Sequence, residues 1–173
     1  MIDWPFILAE HGGSVWRTVY KLLNHDADAL DCYQETFLAA FRFAERRPVV
    51  GWGPLLTTIA TRKALNCLRS RRRLRSRVVG LDGVPEPSSE VEGPLQHAEA
   101  ADLLDRVRQG LAELPDKQAE VFWLSCVEGL SHEQIADRLQ VAPGDVRVLL
   151  HRARVRLRAV LKPTGQQKGE CHE

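Results

Sequence analysis

No apolar run in this chain of 173 residues approaches the roughly 18 needed to cross a bilayer. The start, Met1-Ile2-Asp3-Trp4-Pro5, lacks the basic-then-apolar order of a secretory signal. The expectation is a cytoplasmic protein without membrane insertion. Cysteine is scarce and unpatterned: Cys32, Cys67, Cys126 and Cys171 show no CxxC spacing, and the six histidines show no HxxxH spacing. Neither a disulfide framework nor a zinc site is indicated. A glycine-rich phosphate loop is missing, and no cofactor is expected. Nor is there a convincing stretch of alternating polar and apolar residues that would read as a strand, or any internal repeat.

What the chain does contain is enough apolar sequence, 44% hydrophobic against 27% charged, to bury the core of one domain or two small ones. Its formal net charge of +1 conceals a segregation along the sequence. Residues 1–61 carry 5 basic and 7 acidic groups, while Arg62 to Arg77 carry 8 basic groups and no acid. Residues 78–98 then hold four acids (Asp82, Glu86, Glu90, Glu92) and no base, and Arg147 to Lys162 hold six bases and no acid.

The hydrophobic period is helical. Val15, Trp16, Val19, Tyr20 and Leu23 recur at three-to-four spacing, as do Leu30, Tyr33, Phe37, Leu38 and Phe41, whose Phe37 and Phe41 side is expected to be buried. Breakers at Arg47-Pro48 and Gly51-Trp52-Gly53-Pro54 end the second helix, and Pro54 suits the first turn of a third that runs into the arginine block. From residue 78 to about Pro94, glycines, prolines and serines replace any period and read as a flexible linker. Helical spacing resumes at Leu95, breaks near Leu114-Pro115 and stops at Gly129. The fold class is therefore all-α: two small helical domains, 1–77 and 99–162, joined by an acidic linker at 78–98 and followed by a tail at 163–173.

The C-terminal domain ends in helix-turn-helix spacing. Ser131-His132-Glu133-Gln134 has capping-box form, a short helix reaches Leu139, Gln140-Val141-Ala142 makes a tight turn, and Pro143 opens a last helix. There Val146, Leu150, Ala153, Leu157 and Val160 form an apolar stripe, opposed by Arg147, His151, Arg152, Arg154 and Arg158. An ordinary helical hairpin with solvated arginines has the same spacing. Six bases without an acid favour a polyanion partner instead, because they repel one another until phosphates neutralise them.

In the N-terminal domain, Arg62, Asn66, Arg69 and Arg73 share a stripe suited to phosphates, with Asn66 able to hydrogen-bond a base and Thr58, Thr61 and Trp52 close enough to assist. Asp28, Asp31, Gln34 and Glu35 share a face of the second helix. Clustered carboxylates raise a metal or acid-base reading, but no histidine pair or further carboxylate constellation accompanies them. An acidic face for docking a basic partner is the better reading.

Several ordered motifs resemble the extracytoplasmic-function (ECF) sigma factors of bacterial RNA polymerase over about residues 12–161. Asp26 to Phe37 resembles the family's core-polymerase-binding helix, and Leu56 to Arg69 its promoter-melting and minus-ten-reading helix. Leu114-Pro115, Glu120-Val121-Phe122, Glu128 to Ser131, Glu133 to Ala136 and His151 to Arg154 follow the pattern of the domain that reads the minus-thirty-five element. The resemblance implies a dissociable subunit with no catalysis of its own. Core RNA polymerase and promoter DNA would be its partners, with an anti-sigma factor as a further candidate. It places polymerase binding on Asp28, Asp31, Gln34, Glu35 and Phe37, and DNA binding on Arg62, Asn66, Arg69, Arg73, Arg147, His151, Arg152 and Arg154.

Four positions depart from the family pattern. Leu149 replaces a basic residue, Val148 a serine, Asp145 a threonine and Leu55 a tryptophan. Leu149 can touch a thymine methyl, pack on the preceding helix, or mark weakened DNA binding, and the sequence leaves these open. An extruded base is expected on the loop from Ala44 to Gly53. A coil of the linker's length spans ~25 Å, which suits two domains on separated promoter elements. Two rival functions fit the same sequence: a helix-turn-helix regulator acting without polymerase, and a metal-dependent nucleic-acid enzyme using the acidic helix.

Overall fold

A computed structural model describes residues 2–78 and 95–161, so most of the expected linker and the tail lie outside the described residues. Seven helices follow one another: α1 (Trp4–Leu23), α2 (Asp26–Ala44), α3 (Trp52–Val78), α4 (Leu95–Glu113), α5 (Asp116–Cys126), α6 (His132–Leu139) and α7 (Pro143–Leu161). No strand occurs among the described residues.

Local chemistry accounts for the helix ends. The Asp3 carboxylate accepts from the Phe6 amide at 3.0 Å with Pro5 in the first turn of α1, and Asn24 closes that helix in the left-handed region at φ 47°. His25 caps α2 by accepting the Asp28 amide proton on Nδ1 at 3.3 Å. Ser131 and Gln134 form the expected reciprocal capping box: the Gln134 amide donates to Ser131 Oγ at 3.2 Å and the Ser131 amide to Gln134 Oε1 at 2.9 Å. Gln140, at φ 53°, turns the chain between α6 and α7.

Helices α1 to α3 pack around Val15, Val19, Leu22, Leu56, Ala60, Ala64 and Leu65. The buried face of α2 differs from the expected one. It consists of the small residues Ala29, Cys32, Thr36 and Ala40, while Phe37 is half-buried and Phe41 is 45% exposed. Small side chains let α2 approach its neighbours closely, which displaces the aromatics to its flanks. Tyr33 of α2 reaches over Gly12 of α1, where an added Cβ would stand 2.7 Å from the tyrosine hydroxyl. Phe41 and Trp52 instead pack against Trp4, tilted and edge-on respectively, with ring centroids 5.4 and 5.0 Å away.

Helices α5 to α7 enclose a second core of Val121, Leu124, Ile135, Ala136, Leu139, Val146 and Leu150. The two domains are not separate bodies. Leu111, Leu114, Ala119, Trp123, Ala153 and Leu157 join the core of the first domain, so α4 and α5 lie directly on α3. Polar ties reinforce that seam. Glu128 Oε1 accepts from Thr18 Oγ1 at 3.0 Å and from Trp123 Nε1 at 3.1 Å, and Arg108 donates twice to the Lys21 carbonyl at 3.1 Å.

Candidate nucleic-acid and partner interface

The helix-turn-helix forms as expected, with α7 burying Val146, Leu150, Ala153 and Leu157. Val160, expected on that stripe, is 37% exposed at its end. Arg147, His151, Arg152 and Arg154 are all exposed. Arg147, His151, Arg154 and Arg158 line one face, and Arg152 sits roughly 100–160° around the helix from its members, between the exposed Val148 and Val155 along the axis. Arg147 occupies the first turns of α7, the part of a recognition helix that reaches base edges. Leu149 is half-buried and packs on the α5–α7 core, as Leu130 and Val141 do. Of its three readings, packing is the one its surroundings support.

The stripe on α3 has a different environment. Arg62, Asn66 and Arg69 come together, joined by Leu65, Asp116 and Glu120, around a cleft of about 170 Å³. Arg62 is ion-paired with Glu120. Arg69 reaches Asp116 at 3.1 Å, the Leu114 carbonyl at 3.3 Å and Asn66 Oδ1 at 3.1 Å, and its side chain is only 11% exposed. Arg72 meets Glu113 at 2.8 Å. Arg73 is exposed. Carboxylates of α4 and α5 thus stand where the sequence suggested phosphates. Burial pushes the Glu120 carboxyl above its ordinary range, and the Arg62 guanidinium opposes that shift without cancelling it. Thr58 and Thr61 are buried, and Thr58 donates to the Pro54 carbonyl at 2.9 Å, so neither hydroxyl faces a ligand here.

Sequence reasoning missed Glu113, Asp116 and Glu120. A signal existed: their separations of three and four residues are the helical spacing that also runs through Arg62, Asn66, Arg69 and Arg73. The break at Leu114-Pro115 hides it, because it divides the acids between two helices.

The acidic face of α2 is only partly free. Asp28 pairs with Arg71 at 3.1 Å and Glu35 with Lys63 at 2.8 Å, so both carboxylates also fasten α2 to α3. Asp31 and Gln34 are exposed and Phe37 is half-buried. Exposed Leu30 and Leu38 flank them, giving a mixed acidic and apolar patch. Among the described residues no group of three His, Cys, Asp or Glu side chains could hold a metal ion, and no helix is long and apolar enough to cross a membrane.

A three-helix domain with an acidic and apolar helix face, coupled to a helix-turn-helix domain, is the build of a sigma-70 type initiation factor. Residues 7–74 match the family Sigma-70 region 2, and residues 104–157 match Sigma-70, region 4. The ECF RNA polymerase sigma factor SigL of Mycobacterium tuberculosis is 34% identical over 165 residues, covering 90% of this chain and 87% of the relative. SigE of Mycolicibacterium smegmatis, also an ECF RNA polymerase sigma factor, is 31% identical over 161 residues, 93% of this chain but 62% of the relative's length. The chain belongs to the ECF sigma factor family.

Two solved structures share its fold. RpoE of Bartonella quintana, crystallised with the anti-sigma factor NepR, is 22% identical, covers 94% of this chain and 98% of its own, and gives a TM-score of 0.54. CnrH, solved with the cytosolic domain of CnrY, is 22% identical, covers 91% of this chain and 86% of its own, and gives 0.55.

Proposed function

We propose that this chain binds core RNA polymerase in the cytoplasm and directs promoter-specific transcription initiation, with no chemistry of its own. The carrying observation is that one chain joins two surfaces: the patch of Asp31, Gln34, Leu30 and Leu38 on α2, and the exposed arginine stripe on α7. The first suits a basic protein partner, and Asp28, Glu35 and Phe37 border it. The second suits duplex DNA, with Arg147, His151, Arg152 and Arg154 disposed around the recognition helix.

The stripe of Arg62, Asn66, Arg69 and Arg73 is assigned to the minus-ten region. Its engagement calls for release of Asp116 and Glu120, because the same guanidinium groups cannot satisfy carboxylate and phosphate together. Docking of α2 on the polymerase clamp, by separating the domains, would supply that release. An anti-sigma factor, the partner of the solved RpoE, is a natural competitor for these surfaces.

Run-off transcription with purified core polymerase on a promoter library tests this reading. Promoter-selective transcripts that depend on adding the chain are expected. A footprint from the chain alone, unchanged by core enzyme, would favour a polymerase-independent regulator.

A further inference from the structure

Helix α7 turns Val146, Leu150, Ala153 and Leu157 into the core. At about 100° per residue, Val148 and Val155 point roughly 180° away from that face, straight out of the domain. They are 47% and 52% exposed, and the exposed Ala159 continues the ridge. Basic side chains run along both of its flanks. Arg147, His151, Arg154 and Arg158 lie on one side, Arg152 and Arg156 on the other, and all are exposed. No acid falls between Arg147 and Lys162. The acid before them, Asp145, is in the first turn, where a helix N-terminus favours negative charge. Helix α4 packs on the opposite side of α7, where Leu157 stands over Gly110, so closure of the domains leaves the ridge free.

A lone exposed valine needs no explanation. Two of them on the outermost line of one helix, between two rows of cations, form a pattern. Valine is a poorer helix former than alanine, lysine or arginine, so helix stability does not account for it. The major groove does. It is about 12 Å wide between two phosphate backbones, which suits basic groups on both flanks, while the outermost line of the helix meets the base edges at its floor. On that floor the thymine C5 methyl is the apolar group, and the other edges offer donors or acceptors that a valine desolvates without pairing. A serine, the residue of the family pattern at position 148, can pair with either kind and discriminates less.

We infer that Val148 is a specificity-determining residue that recognises the C5 methyl of a thymine in the upstream promoter element. It sits in the second turn of α7, where a recognition helix reaches base edges, whereas Val155 lies about 10 Å further along the axis. Val155 therefore follows the groove without setting a base preference. The inference rests on the proposed role in promoter recognition and deepens it, by naming a chemical group that one position of the DNA must carry.

The test uses the full chain assembled with core polymerase, on a promoter that it selects in run-off transcription. Each thymine of the upstream element, on either strand, is replaced in turn by deoxyuridine, which keeps the base pair and removes only the methyl. One position should respond, with affinity lower by about three- to fivefold, the worth of one buried methyl. Val148→Ala should bind the thymine promoter less tightly and lose the uracil effect at that position. Val155→Ala should keep the native thymine-to-uracil ratio there. Both substitutions fall at exposed sites and raise helix propensity, so folding is preserved. Selective binding that no uracil weakens, or a uracil effect that persists in full in Val148→Ala, overturns the inference and leaves the functional reading standing. Absence of any promoter-selective binding overturns both.

Discussion

Arg69 of α3 and Asp116 in the first turn of α5 meet at 3.1 Å across the boundary between the two helical domains. Asp116 is 79% exposed while Arg69 is 11% exposed, so the guanidinium is the partner committed to the seam. Each exposed acid in such a pair stabilises closure by only about 0.2–1 kcal/mol. Apolar contact of Leu111, Leu114 and Trp123 with the first domain carries most of the rest.

Reversing both Glu113 and Asp116 to lysine should weaken closure by about 1–2 kcal/mol and leave each domain folded. Small-angle scattering of the free chain should show a larger radius of gyration, and binding to single-stranded DNA at low salt should tighten. Unchanged scattering and DNA affinity would show that Arg69 and Arg72 are not held by these acids in solution.

Closure should also respond to pH through Glu120. Its carboxyl in the closed form lies above its ordinary value, 4.5, because of burial, with Arg62 opposing. A group raised on closure contributes stability that is fully present below the ordinary value and is lost as pH rises through the raised one. Interdomain energy transfer should thus increase on mild acidification from neutrality. Glu120→Gln, which resembles the protonated form, should flatten that dependence. Loss of transfer on acidification in the native chain, absent from the glutamine variant, would reverse the assignment.

Much of this architecture was legible in the sequence because helix ends carry local signals. The Ser131–Gln134 box and Pro143 mark α6 and α7 by chemistry confined to a few residues. The buried face of α2 was less legible. Tyr33, Phe37 and Phe41 dominate any hydrophobic count, yet Ala29, Thr36 and Ala40 make the contact, and only the separation between helices shows that small residues win there. The α3 stripe was legible as a cluster, but its occupants were not. Glu120 could be matched to Arg62 only once the break at Leu114-Pro115 was seen to fold α5 back onto α3.

Leu149 should report on packing and not on promoter reading. Leu149→Ala is expected to lower the stability of the C-terminal domain by about 1–2 kcal/mol, less than for a fully buried leucine. Val148→Ala, at a position 47% exposed, should stay within about 0.5 kcal/mol. Urea denaturation of the full chain measures both. Equal stability of the two variants, with promoter discrimination lost in Leu149→Ala, would return Leu149 to the DNA face.

Arg147 and Arg158 share one face of α7 but stand at opposite ends of it. Residues early in a recognition helix reach base edges, whereas its far end lies against the backbone. Arg147→Ala should therefore cost holoenzyme about 1–3 kcal/mol on its preferred upstream element and relax the preference at one position. Arg158→Ala should weaken all sequences alike and reduce the salt dependence of binding. Filter binding on single-base promoter variants separates the two, and a uniform loss for Arg147→Ala would demote it to phosphate contact.

Asp28 and Asp31 divide the work of the α2 face, and that division separates docking from folding. Asp28 is tied to Arg71, so Asp28→Ala leaves a guanidinium at the α2–α3 seam without its carboxylate and should lower both stability and polymerase affinity. Asp31 is exposed, and a substitution there should leave stability within about 0.5 kcal/mol. Asp31→Arg sets a cation against a basic polymerase surface, where like charges cost several kcal/mol, enough to abolish transcription. The expected result is a variant that melts like the native chain, shows unaltered interdomain energy transfer, and fails to co-elute with core enzyme. Retained co-elution would move the docking surface off α2, since no loss of folding could then be held responsible for any effect on transcription.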